Sequence, residues 1–311
     1  MANATHDQAA LPAALSGSTA SAPRRKPLQQ GEERLAWLLI LPWLIGFLCF
    51  QLGPMLASMG LSLTEWRMFT PPKWIGLENY RTMIFDDPLV IQAFKVTTIY
   101  AITAVPLQIM VGLFVAVLLN QKIRALAFFR TLYYLPATVS GVAVAMVWLL
   151  IFNGDFGLLN QMLRYIGIEG PYWLSDPRTV LAAFVVMSLW GVGSGIIIYL
   201  AGLQGVPTEL YEAAEVDGAN QWIQFLRITL PMISPVLFFQ FVIGVIAALQ
   251  VFEGPFIMTS GGPGNASLFV MLYLYRNGFE FYQMGYASAL AWVLFLYIMV
   301  LTLLVIRSSA L

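Results

Sequence analysis

The residues able to act as acid, base, nucleophile or metal ligand are few, and their positions exclude most chemistry. The sole histidine, His6, lies in a polar stretch near the N-terminus, so no histidine can act as a general base or bind a metal in the apolar remainder. The single cysteine, Cys49, sits inside an apolar run and cannot close an intrachain disulfide, which leaves the redox compartment open. None of Lys26, Lys73, Lys95 and Lys122 follows a glycine, so no G-x-x-x-x-G-K-[ST] loop is present to cradle phosphates, and any ATP-derived energy must come from a partner. Glu253 is the only charged residue inside a long apolar stretch. A carboxylate in that position is either a functional group or a structural hydrogen-bond acceptor. Gln240, Gly244, Ala247, Gln250 and Gly254 recur at helical spacing and form a small, polar stripe that could line a cavity or let helices pack closely. Trp190, Gly191, Gly193, Ser194 and Gly195 form a second such group, dense enough in glycine for a kink or a close crossing.

The elements that carry these residues follow from composition. Of 311 residues, 59% are hydrophobic and only 10% charged, with mean hydropathy +0.76, far from the balance of a soluble domain. The formal net charge of +0 argues against a nucleic-acid partner. A membrane-spanning helix needs roughly 20 apolar residues. Six stretches qualify, at about 36–62, 97–119, 132–152, 179–203, 235–258 and 286–306, which predicts an all-α integral membrane protein with both termini on one side. Residues 1–34 carry Ala, Ser, Pro and charge but no apolar core of their own, so a disordered tail is expected rather than a cleaved signal peptide, followed by a six-span domain over 35–311. Arg24, Arg25, Lys26 and Arg34 before the first span, with Lys122, Arg124 and Arg130 in the second loop, favour a cytoplasmic N-terminus. Arg67, Lys73, Arg81 and Lys95 in the opposite loops weaken that bias.

Between the fourth and fifth stretches the chain turns polar, over about 205–232. Pro207 and Thr208 predict a helix start, Glu209 and Glu212 lie where the helix dipole favours anions, and Gly218 predicts a left-handed stop. A second short helix is expected from Asn220, with Trp222, Phe225, Leu226 and Thr229 at helical spacing and an end at Pro231. Ala213, Ala214 and Ala219 leave little side-chain bulk between them. On spacing alone, two readings stand: a plain connector between spans, and a docking surface for another protein.

The segment reads EAAEVDGA from Glu212 to Ala219, followed by ITLP at Ile228–Pro231. The first span contains LILPWLIGFLCFQLGPMLASMGLSLTEW, and further along stand IGLENY at Ile75–Tyr80, FFRTLYYLPATVSGVAVAMVW and FEGPFIMTSGGPGNAS at Phe252–Ser267. Together these blocks resemble the inner-membrane permease subunits of binding-protein-dependent ABC importers of carbohydrate type, over nearly everything after residue 34. The opening span and the GGP block most resemble the first of two paired permeases of the maltose and glycerol-3-phosphate type.

The resemblance implies the six-span type I importer permease fold, in the cytoplasmic membrane of a bacterium or archaeon. It implies a second, non-identical permease, two copies of a cytoplasmic ATPase that use ATP and Mg, an extracytoplasmic solute-binding protein and surrounding lipid, with no cofactor or catalytic residue on this chain. Glu212, Ala213, Ala214, Asp217, Gly218, Ala219, Leu230 and Pro231 match the family motif and would form the helix that inserts into the ATPase, coupling nucleotide to a hinge motion of the spans. Glu215, after EAA, adds a carboxylate to the motif. Trp190, Gly191, Ser194, Gln240, Gly244, Gln250 and Glu253 are the candidate pathway residues, Trp190 and Ser194 offering a stacking face and a hydroxyl to a sugar. The maltose-type relative carries substrate-contacting polar residues where this chain has Gly244, Ala248 and Val251, so that sugar site is not reproduced. Glycerol phosphate or another polar solute is the alternative cargo. A secondary transporter is the more distant alternative, but it would need more intramembrane charge than Glu253 supplies.

Overall fold

A helix satisfies all its backbone polar groups within one segment, which makes it the natural element in hydrocarbon. The computed structural model, which describes residues 30–121 and 126–309, is built almost wholly of helices, with one short hairpin pairing Thr64–Glu65 to Lys73–Trp74. Among the described residues, four helices are long and apolar enough to cross a membrane: Trp37–Ser62, Pro88–Leu119, Ser234–Met258 and Met284–Arg307. Two bent pairs, Thr131–Thr138 with Gly141–Ile151 and Val180–Gly191 with Gly193–Gln204, make six when each pair is one span. Among the described residues, those up to Pro54 and those from Met55 onward form two compact units. The first helix starts at Gln30, inside the stretch read as tail. Arg24, Arg25, Lys26, Lys122 and Arg124, which carry much of the orientation argument, lie outside the described residues.

Several spans depart from the uniform rods expected. The second starts at Pro88 rather than near 97, because Asp87 caps it by accepting from the Leu89 amide and Pro88 takes a position where no backbone donor is needed. Lys95 therefore lies within a spanning helix, and Glu253 is not the only charge in one. The third bends by 103°: Pro136 tightens the chain into a 3-10 turn, and Val139 and Ser140 leave helical ψ at 139° and 135°. The fourth bends by 54° around Val192, flanked by Gly191 and Gly193. In the fifth, regular helix stops at Leu249 and resumes at Glu253. Pro231 does not end the second short helix. A π-turn over Phe225–Thr229 absorbs its missing donor and the helix runs on to Met232, with the irregularity at Ile233 (φ −90°, ψ 1°).

The second span is the central post. Val96, Tyr100, Ala104 and Val105 are buried against Phe184, Ala248, Leu249 and Phe269, and further along Leu113, Ala116 and Leu119 pack with Tyr199, Leu203 and Ile233. In lipid, where hydrophobic burial does not drive helix association, close van der Waals packing at small residues such as Ala104 and Ala116 has to hold the bundle.

At the end of the bundle where the second span begins, polar groups tie the loops. Buried Asn79, of the IGLENY block, donates to the carbonyls of Ser62 (2.8 Å) and Thr64 (3.0 Å), and the Tyr80 hydroxyl donates to Ser62 Oγ (2.8 Å). Asp87 Oδ2 accepts from the buried phenols of Tyr273 (2.5 Å) and Tyr286 (2.6 Å). Burial, and then the Asp87 acceptor, push the Tyr273 phenol up, so it stays a neutral donor throughout the physiological range. Asp87→Ala orphans two buried hydroxyls, each costing about 1–3 kcal/mol. The variant complex is expected to unfold several degrees below wild type in a detergent thermal melt, with Asp87→Asn intermediate.

Candidate functional site

Two places bring the candidate residues together, and they lie at different levels of the spans. The first is the polar segment. Its helix covers Thr208–Val216, with Glu209 in the first turn. It closes through Gly218 at φ 78°, with the Gly218 amide on the Glu215 carbonyl (3.0 Å) and the Ala219 amide on the Ala214 carbonyl (2.8 Å), the paired bonds of a glycine-terminated helix. Asn220 then caps the next helix, its side chain accepting from the Ile223 amide at 2.9 Å.

The segment is pinned to the bundle from one side. Tyr211 shares a hydrogen bond with Thr229 Oγ1 (2.8 Å), and Tyr211, Phe225, Ile228 and Leu230 pack onto the Leu113, Leu203 and Ile233 cluster. Glu212, Ala213, Glu215, Asp217, Gly218 and Pro231 are exposed, while Ala214, Ala219 and Leu230 are half-buried. The eight motif positions therefore divide, and Leu230 anchors the segment to the spans rather than facing outward. Among the described residues no ion pair engages Glu209, Glu212, Glu215 or Asp217. Val216 at 88% and Trp222 at 73% exposure stand beside these acids. Val216 had no signal in the sequence, since one valine ending a polar helix breaks no pattern.

The second place is a cavity of about 350 Å³ between the second, fourth and fifth spans, lined by Gln108, Gly191, Ser194, Gly195, Tyr199, Gln240 and Gly244 among others. Four of the candidate pathway residues, Gly191, Ser194, Gln240 and Gly244, meet there. Ser194 Oγ donates to the Gly191 carbonyl at a long 3.3 Å. A Cβ on Gly195 would lie 2.6 Å from the Gln240 amide nitrogen, and one on Gly244 would lie 3.0 Å from Val105, so the small-residue stripe both packs helices and borders a cavity. The other three lie elsewhere. Trp190 sits edge-on to Trp148, with centroids 6.3 Å apart, and is not part of this lining. Gln250, beyond the helix end at Leu249, has lost the helical period and opens on a different cleft with Met271 and Phe295. Glu253 is exposed and rests against Gly141, where any Cβ would collide with its carboxylate. Gly254 is buried against Phe184 and Met187, a packing contact. Gln108 and Tyr199 were not singled out from the sequence, although an amide within an apolar run was visible for Gln108. No cluster of acidic, histidine or cysteine side chains among the described residues could hold a metal ion.

This architecture and motif set have counterparts among known proteins. Residues 108–311, more than half of the chain, match the family described as binding-protein-dependent transport system inner membrane component. The chain belongs to that family. It is 40% identical over 300 residues to the probable ABC transporter permease protein YesP of Bacillus subtilis, covering 95% of this chain and 97% of that one. It is 34% identical to the arabinooligosaccharides transport system permease protein AraP of Halalkalibacterium halodurans, covering 88% and 86% of the two chains. Its fold matches a chain in the crystal structure of a bacterial ABC transporter involved in import of the acidic polysaccharide alginate, with TM-score 0.78, 28% identity and 90% and 96% of the two chains covered. The protein is thus a multi-pass inner-membrane component of a binding-protein-dependent transport system.

Proposed function

We infer that the chain forms half of the translocation pathway of an ATP-driven importer for a sugar or oligosaccharide, without catalysing a reaction or binding a cofactor itself. The observation that carries this reading is the uncharged polar lining at Gln108, Ser194, Tyr199 and Gln240, in which amides and hydroxyls can exchange hydrogen bonds with a hydroxylated solute crossing the apolar bundle. Relatives named for arabinooligosaccharide, trehalose/maltose and lactose transport support the carbohydrate class. Glycerol phosphate fits less well, because among the described residues no cation lines this cavity.

The polar segment would face the cytoplasm, with both termini, and receive one of two ATPase subunits. A second, non-identical permease would complete the pathway, and an extracytoplasmic solute-binding protein would deliver cargo, as in the alginate transporter solved with its ligand-bound periplasmic protein. Co-expression should therefore yield a complex with a second permease and two ATPase copies. In proteoliposomes uptake should need external binding protein and internal ATP, and solute uptake by this chain alone would overturn the reading. Gln240→Leu, which removes an amide from the lining, is expected to lower the uptake rate about tenfold with assembly unchanged.

A further inference from the structure

A second cleft, of about 690 Å³, lies where the third span ends, between the loop over residues 152–176 and the Met258–Pro263 segment. It shares no lining residue with the Gln240 cavity. We propose that this cleft is a binding subsite for a neutral saccharide, entered before the spans. For its ligand class the proposal rests on the importer reading above; the site itself is a separate one.

The loop that builds it is held in one shape. Asn160, buried to 1% exposure, donates to the carbonyls of Gly154 (2.9 Å) and Pro171 (3.1 Å) and accepts from the Trp173 indole (2.7 Å). Arg164 donates to the Asp155 carbonyl at 2.5 Å, which pins the loop backbone at that residue. A site fixed before binding loses less entropy on binding. Three features then suit a sugar. The Tyr172 ring, 59% exposed, lies against Gly154 so closely that any Cβ there would overlap it, which presents a flat aromatic surface at the rim. Asp155 Oδ1 accepts from the Tyr172 hydroxyl (3.1 Å), and its second oxygen, without a partner among the described residues, can accept from a hydroxyl. Asn153 Oδ1 is taken by the Asp155 and Phe156 amides (2.9 and 3.1 Å), which leaves its NH2 to donate. Phe152 and Met258 supply an apolar floor. A flat ring, a carboxylate and an amide over an apolar floor form the mixed lining of a small-molecule site, whose volumes run roughly 300–1,000 Å³. Among the described residues Asp155 is the charged side chain that the lining itself presents, which disfavours a uronate or a phosphorylated sugar against a neutral one.

The test uses the assembled importer in lipid nanodiscs without binding protein, probed by saturation-transfer NMR with maltotriose, xylotriose, arabinotriose and trigalacturonate. At least one neutral trisaccharide is expected to receive transfer, and trigalacturonate none. Tyr172→Ala and Asp155→Lys should each cut the neutral signal at least fivefold, and Tyr172→Phe should keep most of it. Asp155→Lys should also admit trigalacturonate. Melting curves establish that the variants are folded. Absence of transfer to every neutral probe, or a signal that survives both Tyr172→Ala and Asp155→Lys, overturns the subsite. ATP-driven uptake by the same preparation, which depends on the importer reading alone, tells failure of the subsite from failure of that reading.

Discussion

Glu212→Lys should assemble with the proposed second permease at wild-type yield and lose most ATP-driven uptake. The side chain is exposed and has no ion-pair partner among the described residues, and it lies beyond the first turn of its helix, where only Glu209 meets the dipole as the spacing predicted, so reversing its charge costs the isolated chain little. At a docking surface the balance differs. A charge contact desolvated between two proteins and then broken costs about 2–5 kcal/mol, enough to release the ATPase or to let it hydrolyse without transport. Gly218 gives an independent check on the same surface. Its φ of 78° suits glycine and tolerates asparagine, while a Cβ there meets nothing within 4 Å, so Gly218→Leu acts through backbone strain of about 1–2 kcal/mol at the end of the Thr208–Val216 helix and not through collision. Gly218→Leu should reduce coupling and Gly218→Asn should largely preserve it. The measurement is solute-stimulated ATPase activity together with uptake in reconstituted vesicles. Wild-type values for both Glu212→Lys and Gly218→Leu would make this segment a connector and nothing more.

Where backbone rules act locally, the sequence was a good guide. The left-handed stop at Gly218 and the helix start at Asn220 are each decided by a handful of neighbouring atoms, and both stand where spacing put them. Pro231 misled because a proline can be absorbed by widening the preceding turn, here the π-turn over Phe225–Thr229, whose Thr229 also hydrogen-bonds Tyr211. Helical spacing extended from Gln240 to Gln250 failed for a related reason. Periodicity assumes an unbroken helix, and the break after Leu249 swings Gln250 away from the face that Gln240 and Gly244 share. The bend angles of the third and fourth spans were not legible, since they depend on which backbone approaches Gly193, and hydropathy carries no trace of that.

That approach yields the other large expected effect. A Cβ at Gly193 would overlap the Tyr133 carbonyl oxygen, so the two bent spans cross backbone against backbone at this point. Close crossing at glycine is how membrane helices gain packing energy without a hydrophobic drive, and a carbonyl on a neighbouring helix cannot step aside as a flexible side chain can. Gly193→Val should therefore force the spans apart, at a cost of about 1–3 kcal/mol or more, and lower the yield of assembled complex at least several-fold. Gly191, two residues away on the other side of the bend, has nothing within 4 Å of its would-be Cβ. Gly191→Ala should assemble normally, and any effect it has should appear in uptake, because that residue borders the polar cavity. Size-exclusion yield and melting temperature of the two variants separate these roles. Equal yields would mean that the crossing gives way at Gly193, and that the bend depends on Pro136 and the other glycines instead.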